Sequence, residues 1–357
     1  MNPKDLVPDF IKRLEPYASP TDNAPEAMIW LNTNEYPIAT KFEMRFETLN
    51  RYPEVQPQAF IRRYADYAGV KPEEVLVTRG GDEAIELLIR TFCTPFKDAV
   101  LYAAPTYSMY AISAKTCGVH VIEVASKKNL QLDITRLCSV LKEDTQNVKI
   151  VFLCRPNNPT GEVVSKGMVE KVLLAAKDAI VVVDEAYIEF CPEESVADLL
   201  NQYTNLALVR TLSKAFALAG LRCGMILANR EIIDVLRKVI APYPIPEPVA
   251  IIAEHSLSNG GIAAMKQRVQ VIAENRDYLI GELRKLKAVN SVFQTKTNFV
   301  LFELDNAHDI YQKLWLKGVA IREPGTGDNT LRVSVGTLEE CRTFVRKLTA
   351  ILKEARR

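Results

Sequence analysis

The sequence predicts an α/β fold: a mainly parallel sheet covered by helices on both faces, followed by a smaller α/β unit. Three observations predict it. Short, almost wholly apolar runs such as KIVFLC (149–154) and AIVVVDEAY (179–187) recur along the first two thirds of the chain. Amphipathic stretches of helical period separate them, and strands buried on both faces lose the polar alternation of a half-exposed sheet. A second, shorter series of strands and helices then closes the chain.

The elements follow in order. Residues 1–50 are rich in Pro, Asn and Glu, show little periodicity and read as a wandering arm. EEVLVT (73–78) is a short strand and GDEAIELLIRTF a helix. AVLYAAP (99–105) is a strand followed by the helix TYSMYAISAKTCG, and VHVIEV (119–124) is a further strand. KIVFLC precedes the helix SKGMVEKVLLAAKD, and AIVVVDEAY and LALVRTLS (206–213) are two more apolar strands. One long helical region covers about 247–287. In the tail NFVLFEL, VAIRE and LRVSVG are strands, with helices at about 307–317 and 337–354.

Composition sets bounds. At roughly 150 residues per domain, 357 residues suggest two domains. A formal net charge of +1 gives no bulk electrostatic case for nucleic acid or an anionic membrane. No apolar run reaches about 18 residues, the length of a membrane span, and the N-terminus lacks the apolar core of a signal peptide. The seven cysteines are odd in number, irregularly spaced and without a CxxC pair. They read as free thiols in a reducing cytoplasm, not as disulfides or a zinc site, and no metal is expected.

A parallel sheet binds ligands beyond the C-terminal ends of its strands. Five such ends carry suggestive residues. TRGGDE (78–83) puts Gly80, Gly81 and Asp82 at a strand-to-helix turn, where free N–H groups can meet an anion. As a motif it is weak, and a plain turn explains it alone. PTYSMY offers Tyr107 as a flat face, or as a core tyrosine. CRPNNPTG is a rigid loop that presents the amide of Asn157 or Asn158, since Pro159 holds Asn158 extended. Asp184 ends a buried strand, where a carboxylate needs a partner, and Tyr187 follows three residues on. Lys214 stands in RTLSKAFALAGLRCG among small apolar residues, with Thr211 and Ser213 before it and Arg222 after it. An anion cup, an aromatic face, an amide, a carboxylate and an isolated lysine together suit a planar, phosphate-bearing cofactor that forms a Schiff base. His120, His255 and His308 sit in no motif and receive no role.

SKAFALAGLRCG, PNNPTG and DEAYIEF, in that order, resemble the signatures of the fold-type I, aspartate-aminotransferase-like pyridoxal-phosphate enzymes. LNTNEYP, LNRYPEVQP, RGGDEAIELLIRTFC, PTYSMY and KVIAPYP are similar to one branch of them, so the resemblance runs from about residue 30 to 336. It implies a seven-stranded sheet, with an arm (1–45) belonging to the small domain, a large cofactor domain (46–258) and a small C-terminal α/β domain (259–357). It implies pyridoxal 5′-phosphate, attached to Lys214. Asp184 would pair with the pyridine nitrogen, Asn157 and Tyr187 would bond the ring O3′, and Tyr107 would stack on the ring. Gly80, Gly81, Asp82, Thr211, Ser213 and Arg222 would hold the phosphate, with Tyr52 reaching it from the neighbouring subunit of a homodimer. Arg332 would grip a substrate anion, and Arg322 would add a second anion contact. Departures at Tyr36, at Arg155 and in the proline-rich stretch IAPYPIPEP (240–248) would lie near the substrate side.

The activity implied is amino-group transfer between glutamate and an imidazole-bearing phosphate ester. A decarboxylase of a phosphorylated amino acid, or an aromatic aminotransferase, would use the same cofactor residues. A cofactor-sensing regulator is disfavoured, because the arm before residue 50 lacks a basic DNA-binding helix.

Overall fold

The computed structural model describes residues 2–16, 28–143, 146–327 and 329–354; the rest of the 1–45 arm lies outside them. The strands in chain order are β1 (Ile29–Trp30), β2 (Val75–Thr78), β3 (Ala99–Ala104), β4 (His120–Ala125), β5 (Val148–Cys154), β6 (Ile180–Asp184), β7 (Leu206–Thr211), β8 (Gly224–Ala228), β9 (Val289–Val292), β10 (Phe299–Leu304), β11 (Val319–Ala320) and β12 (Thr330–Ser334).

Seven of them form the central sheet, in the order β2-β8-β7-β6-β5-β3-β4. Pairing is parallel from β4 across to β7, and β8 runs antiparallel to both β7 and β2. Why the strands are apolar throughout is visible in their side-chain alternation. Val181, Val183 and Leu208 pack into one core cluster, whereas Val182, Ala207 and Val209 pack into the cluster on the other face. In these central strands both faces are covered, so polar residues gather at the strand ends, whereas the edge strand β4 is more open and carries Glu123. The same alternation aims those ends. Cys154, Asp184 and Thr211 continue the face that carries the helix Gly81–Phe92, while Glu185 and Arg210 continue the opposite face.

The smaller unit holds the antiparallel sheet β12-β10-β9 and the parallel pair β1-β11. The helices Ala307–Leu316 and Leu338–Glu354 cover it, and the C-terminal part of the helix Asn259–Lys285 joins the same core. The arm crosses into this unit: Ile29 pairs with Val319, and Ser334 N–H donates to Leu31 O at 2.8 Å.

Two expectations need correction. The apolar run Gly224–Ala228, which follows the lysine motif, is strand β8, and Val289–Val292 is strand β9; neither was expected. The single helical region at about 247–287 is two helices, Glu247–Ser256 and Asn259–Lys285. Ser258 breaks it: its hydroxyl accepts from Gly261 N–H and caps the second helix, so a helical signal restarts after one turn.

Candidate active site

The strand ends open into a cavity of about 650 Å³. Gly81, Asp82, Tyr107, Asp184, Tyr187, Thr211, Ser213, Lys214, Arg222, Arg322 and Arg332 all line it. The arm adds Asn32, Thr33, Asn34 and Glu35 on the opposite wall.

Lys214 follows β7 with Ala215 and Phe216 buried behind it. Its Nζ donates to Thr33 O at 2.9 Å and lies 5.9 Å from the centre of the Tyr187 ring. Burial, and then the neighbouring Arg332 cation, lower its pKa from 10.5 to about 8. A chain lysine near pH 8 has a neutral, nucleophilic fraction that a surface lysine lacks.

At the other end, the helix Gly81–Phe92 starts on Gly80, whose φ is +85°. A Cβ there would come within 2.7 Å of the Arg222 guanidinium, so glycine is needed both for the backbone and for the arginine that lies over it. Gly80 itself stands behind the wall, with Arg222 between it and the cavity. Arg222 Nη2 donates to Asp82 Oδ2 at 3.1 Å, and Tyr107 OH donates to Asp82 Oδ1 at 2.9 Å. Thr211 Oγ1 donates to Ser213 Oγ at 2.8 Å. Helix-start N–H groups, two hydroxyls and an arginine form a cup for a dianion such as a phosphate.

Asp184 is buried, and the loss of hydration raises its pKa from 3.8 to about 6, against the opposing hydrogen bonds from Tyr110 and Ala186 N–H. Tyr187 is buried with its OH accepting from Asn34 Nδ2 at 3.0 Å. Arg332 donates to Asn158 Oδ1 at 2.5 Å and to Asn32 O at 2.6 Å, with its guanidinium 5.3 Å from the Phe299 ring centre. Arg322 is its backbone partner, each N–H donating to the other's carbonyl, so two arginines stand side by side on the small-unit wall.

Three expected positions differ, Asn157, Arg155 and Tyr36, whereas the exposure of Tyr52 is what a contact made in trans requires. Asn157 is turned out of the cavity: its Nδ2 donates to Pro105 O and Thr160 Oγ1, both at 2.9 Å, and its Oδ1 accepts from Thr106 Oγ1. With no exposed surface and both donors used, it cannot meet a ring oxygen. Asn158 lines the cavity instead, which moves the expected contact by one residue. Tyr52 is 82% exposed, stacked on Tyr243 at 4.8 Å and away from the cavity of its own chain. Arg155 does not face the substrate side either. It is 1% exposed, donates to Val164 O and to Glu194 Oε2, and belongs to an ion network in which Lys296 binds Glu193 and Glu194. Tyr36 packs under Arg268, with its ring 5.7 Å from that guanidinium and off the cavity wall.

Sequence reasoning assigned no role to the 32–35 turn, although LNTNEYP had been part of the resemblance. It also missed Tyr110, whose OH donates to Asp184 Oδ2 at 2.7 Å, and Glu323, a cavity residue held from behind by His308 Nδ1 at 3.0 Å. Tyr110 carried a signal: it is a second tyrosine three residues after Tyr107 in PTYSMY, and its ring packs edge-on against Tyr107 at 5.7 Å.

Pyridoxal phosphate fits these residues. The cup suits its phosphate, Asp184 its ring nitrogen, Tyr107 its face and the lysine its aldehyde. Among the described residues there is no His/Cys/Asp/Glu cluster able to hold a metal, and no helix is long and apolar enough to cross a membrane.

Comparison with known proteins points the same way. Residues 26–348 match the family model for aminotransferases of class I and II. The chain is 49% identical over 350 residues to a histidinol-phosphate aminotransferase of Escherichia coli (strain HS), covering 97% of each chain. It is 48% identical over 349 residues to the protein of the same name from Cronobacter sakazakii, covering 97% of this chain and 96% of that one. Among solved structures, the histidinol-phosphate aminotransferase of Sinorhizobium meliloti in complex with pyridoxal 5′-phosphate superposes with a TM-score of 0.85 at 19% identity, over 98% of both chains.

Proposed function

The chain belongs to the class I and II aminotransferases, and from that premise we propose that it moves an amino group between histidinol phosphate and 2-oxoglutarate, giving imidazole acetol phosphate and glutamate in histidine synthesis. The cofactor is pyridoxal 5′-phosphate, which when bound supplies an electron sink for the negative charge that develops at the substrate Cα. The single observation that carries the reading is the pairing of a lysine of lowered pKa with the double-arginine wall in one cavity.

Each residue then has a task. Lys214 Nζ would hold the cofactor, and as a free amine it would take the proton from the substrate Cα. Arg222, Thr211, Ser213 and the start of the helix Gly81–Phe92 bind the cofactor phosphate and leave the reacting atoms free. Asp184 as an anion keeps the ring nitrogen protonated, and Tyr187 and Asn158 donate to the ring O3′. Arg332 and Arg322 take the anionic arm: a phosphate ester in one half-reaction, a carboxylate in the other. A planar bidentate donor suits both shapes. Tyr52, exposed and aromatic beside Tyr243, serves the neighbouring subunit of a homodimer. We divide the chain at the Ser258 cap into a cofactor domain and a smaller domain to which the arm belongs. Seven unpaired thiols favour a cytoplasmic setting.

A single-turnover experiment tests the substrate. Histidinol phosphate, threonine phosphate and phenylalanine are added separately to the cofactor-loaded enzyme, and the cofactor absorbance is followed. The proposal expects fast, complete conversion with histidinol phosphate alone; preference for threonine phosphate with release of carbon dioxide would replace it with a decarboxylase.

A further inference from the structure

Asp184 poses a physical problem. It is 3% exposed, and the charges that act on it, Asp82 and Glu185, are both acidic. A buried carboxylate without a cation favours its protonated form. Yet a carboxylate that takes up the proton cannot keep that proton on the ring nitrogen of the cofactor.

Two donors oppose this. Ala186 N–H donates to Oδ1 at 3.0 Å, and Tyr110 OH donates to Oδ2 at 2.7 Å. The Tyr110 hydroxyl keeps its proton and can donate it to the anionic carboxylate, because burial, and then the Asp184 charge, hold its pKa well above the usual phenol range. Its ring is fixed on three sides: stacked on Phe152 at 4.5 Å with an interplanar angle of 2°, edge-on to Tyr107 at 5.7 Å, and tilted against Tyr102 at 6.1 Å. The other titratable groups around the pair are Asp82 and Tyr107 at the helix start, Glu185 and Tyr187 after β6, and Cys154 at the end of β5, and the cations that share the cavity with Asp184 are Lys214, Arg222, Arg322 and Arg332, none of them hydrogen-bonded to it. The phenol is therefore the one adjustable side-chain donor that meets this carboxylate among the described residues.

We propose that Tyr110 is a positioning residue that acts through Asp184: its hydrogen bond holds the carboxylate anionic, so that the shared proton stays on the pyridine nitrogen of the bound cofactor. The same ring buttresses Tyr107, so one side chain sets both the counter-ion and the stacking face. The inference rests on the cofactor, not on which substrate is turned over.

The test is a pH titration of the visible absorption of the cofactor-loaded enzyme. A protonated ring nitrogen withdraws electrons and lowers the proton affinity of the nitrogen linked at Lys214; moving the proton to Asp184 reverses this. Tyr110→Phe keeps the ring stack and removes only the donor. Its absorption midpoint is expected to rise by about one pH unit, the scale of a lost hydrogen bond to a charge. The ¹⁵N resonance of ring-labelled cofactor should shift toward the unprotonated position. Site-specific 3-fluorotyrosine at position 110, a stronger donor of the same shape, should move the midpoint down. Midpoints and ¹⁵N shifts unchanged in both variants, with only the melting temperature altered, would show that Tyr110 is packing and would overturn the proposal. Formation of the visible band in the parent enzyme checks the cofactor reading separately, so the two can fail independently.

Discussion

Lys214 is unusual because its surroundings work against its charge. Its pKa of about 8 means that the folded protein carries an amine that the unfolded chain would protonate up to 10.5. The depressed group costs stability at every pH below 8, and the cost fades as pH rises from 8 to 10.5. Lys214→Met should therefore raise the melting temperature of the cofactor-free protein at pH 7, with a gain that shrinks above pH 8 and vanishes near 10.5. A gain that is flat across this range would mean that packing, not charge, is responsible. Arg332 makes a second prediction. Lysine at this position keeps the charge but loses the planar fork and the bonds to Asn158 and Asn32. Arg332→Lys should lower kcat/KM for both histidinol phosphate and glutamate by about 10–100-fold, the equivalent of one charged hydrogen bond, while leaving the cofactor spectrum intact. Unchanged steady-state constants for either substrate would remove Arg332 from the anion site.

At the scale of elements, the cup depends on how tightly β8 and the helix start approach. A Cβ on Gly224, the first residue of β8, would meet the Gly80 carbonyl carbon at 2.5 Å, and a Cβ on Gly80 would displace Arg222. Gly80→Ala should cost about 1–3 kcal/mol from the backbone alone, since φ +85° with ψ 173° is a conformation that only glycine adopts without strain. It should also weaken cofactor binding at least tenfold in a fluorescence titration; an unchanged dissociation constant would show that Arg222 does not need that position. These contacts also explain what the sequence made legible. The strands β2, β3, β5, β6 and β7 were readable as almost wholly apolar runs buried on both faces, and the more open edge strand β4 from its β-branched alternation after a helix. Strand β8 was not: it returns antiparallel directly from the lysine loop, with no helix to announce it, and GMILA alone does not distinguish a strand from buried loop. The Asn157–Asn158 choice was equally hidden, since two adjacent amides in a rigid loop differ only in which way the backbone turns them. Cavity residues 32–35 come from the arm, whose lack of periodicity concealed that it pairs with β11.

At the scale of the whole molecule, the two units meet across the cavity, with Lys214, Asp184 and the phosphate cup on one side and Arg332, Arg322 and the arm on the other. The exposed Tyr52–Tyr243 stack predicts a shared site. Tyr52→Phe should weaken cofactor retention, and mixing inactive Tyr52→Ala with inactive Lys214→Ala subunits should restore part of the activity by forming dimers with one intact site. No recovery, or a fully active monomer in sedimentation, would refute sharing. The claim on which all this depends is that five strand ends converge on one lysine, out of the many in the chain, to hold the cofactor. Borohydride reduction of the loaded enzyme, followed by peptide mass mapping, tests it most directly. The account predicts one phosphopyridoxyl group per chain, on Lys214, and none on Lys214→Ala, which should still bind the cofactor reversibly through the cup; a label on any other lysine, or an undiminished label on the variant, would contradict it.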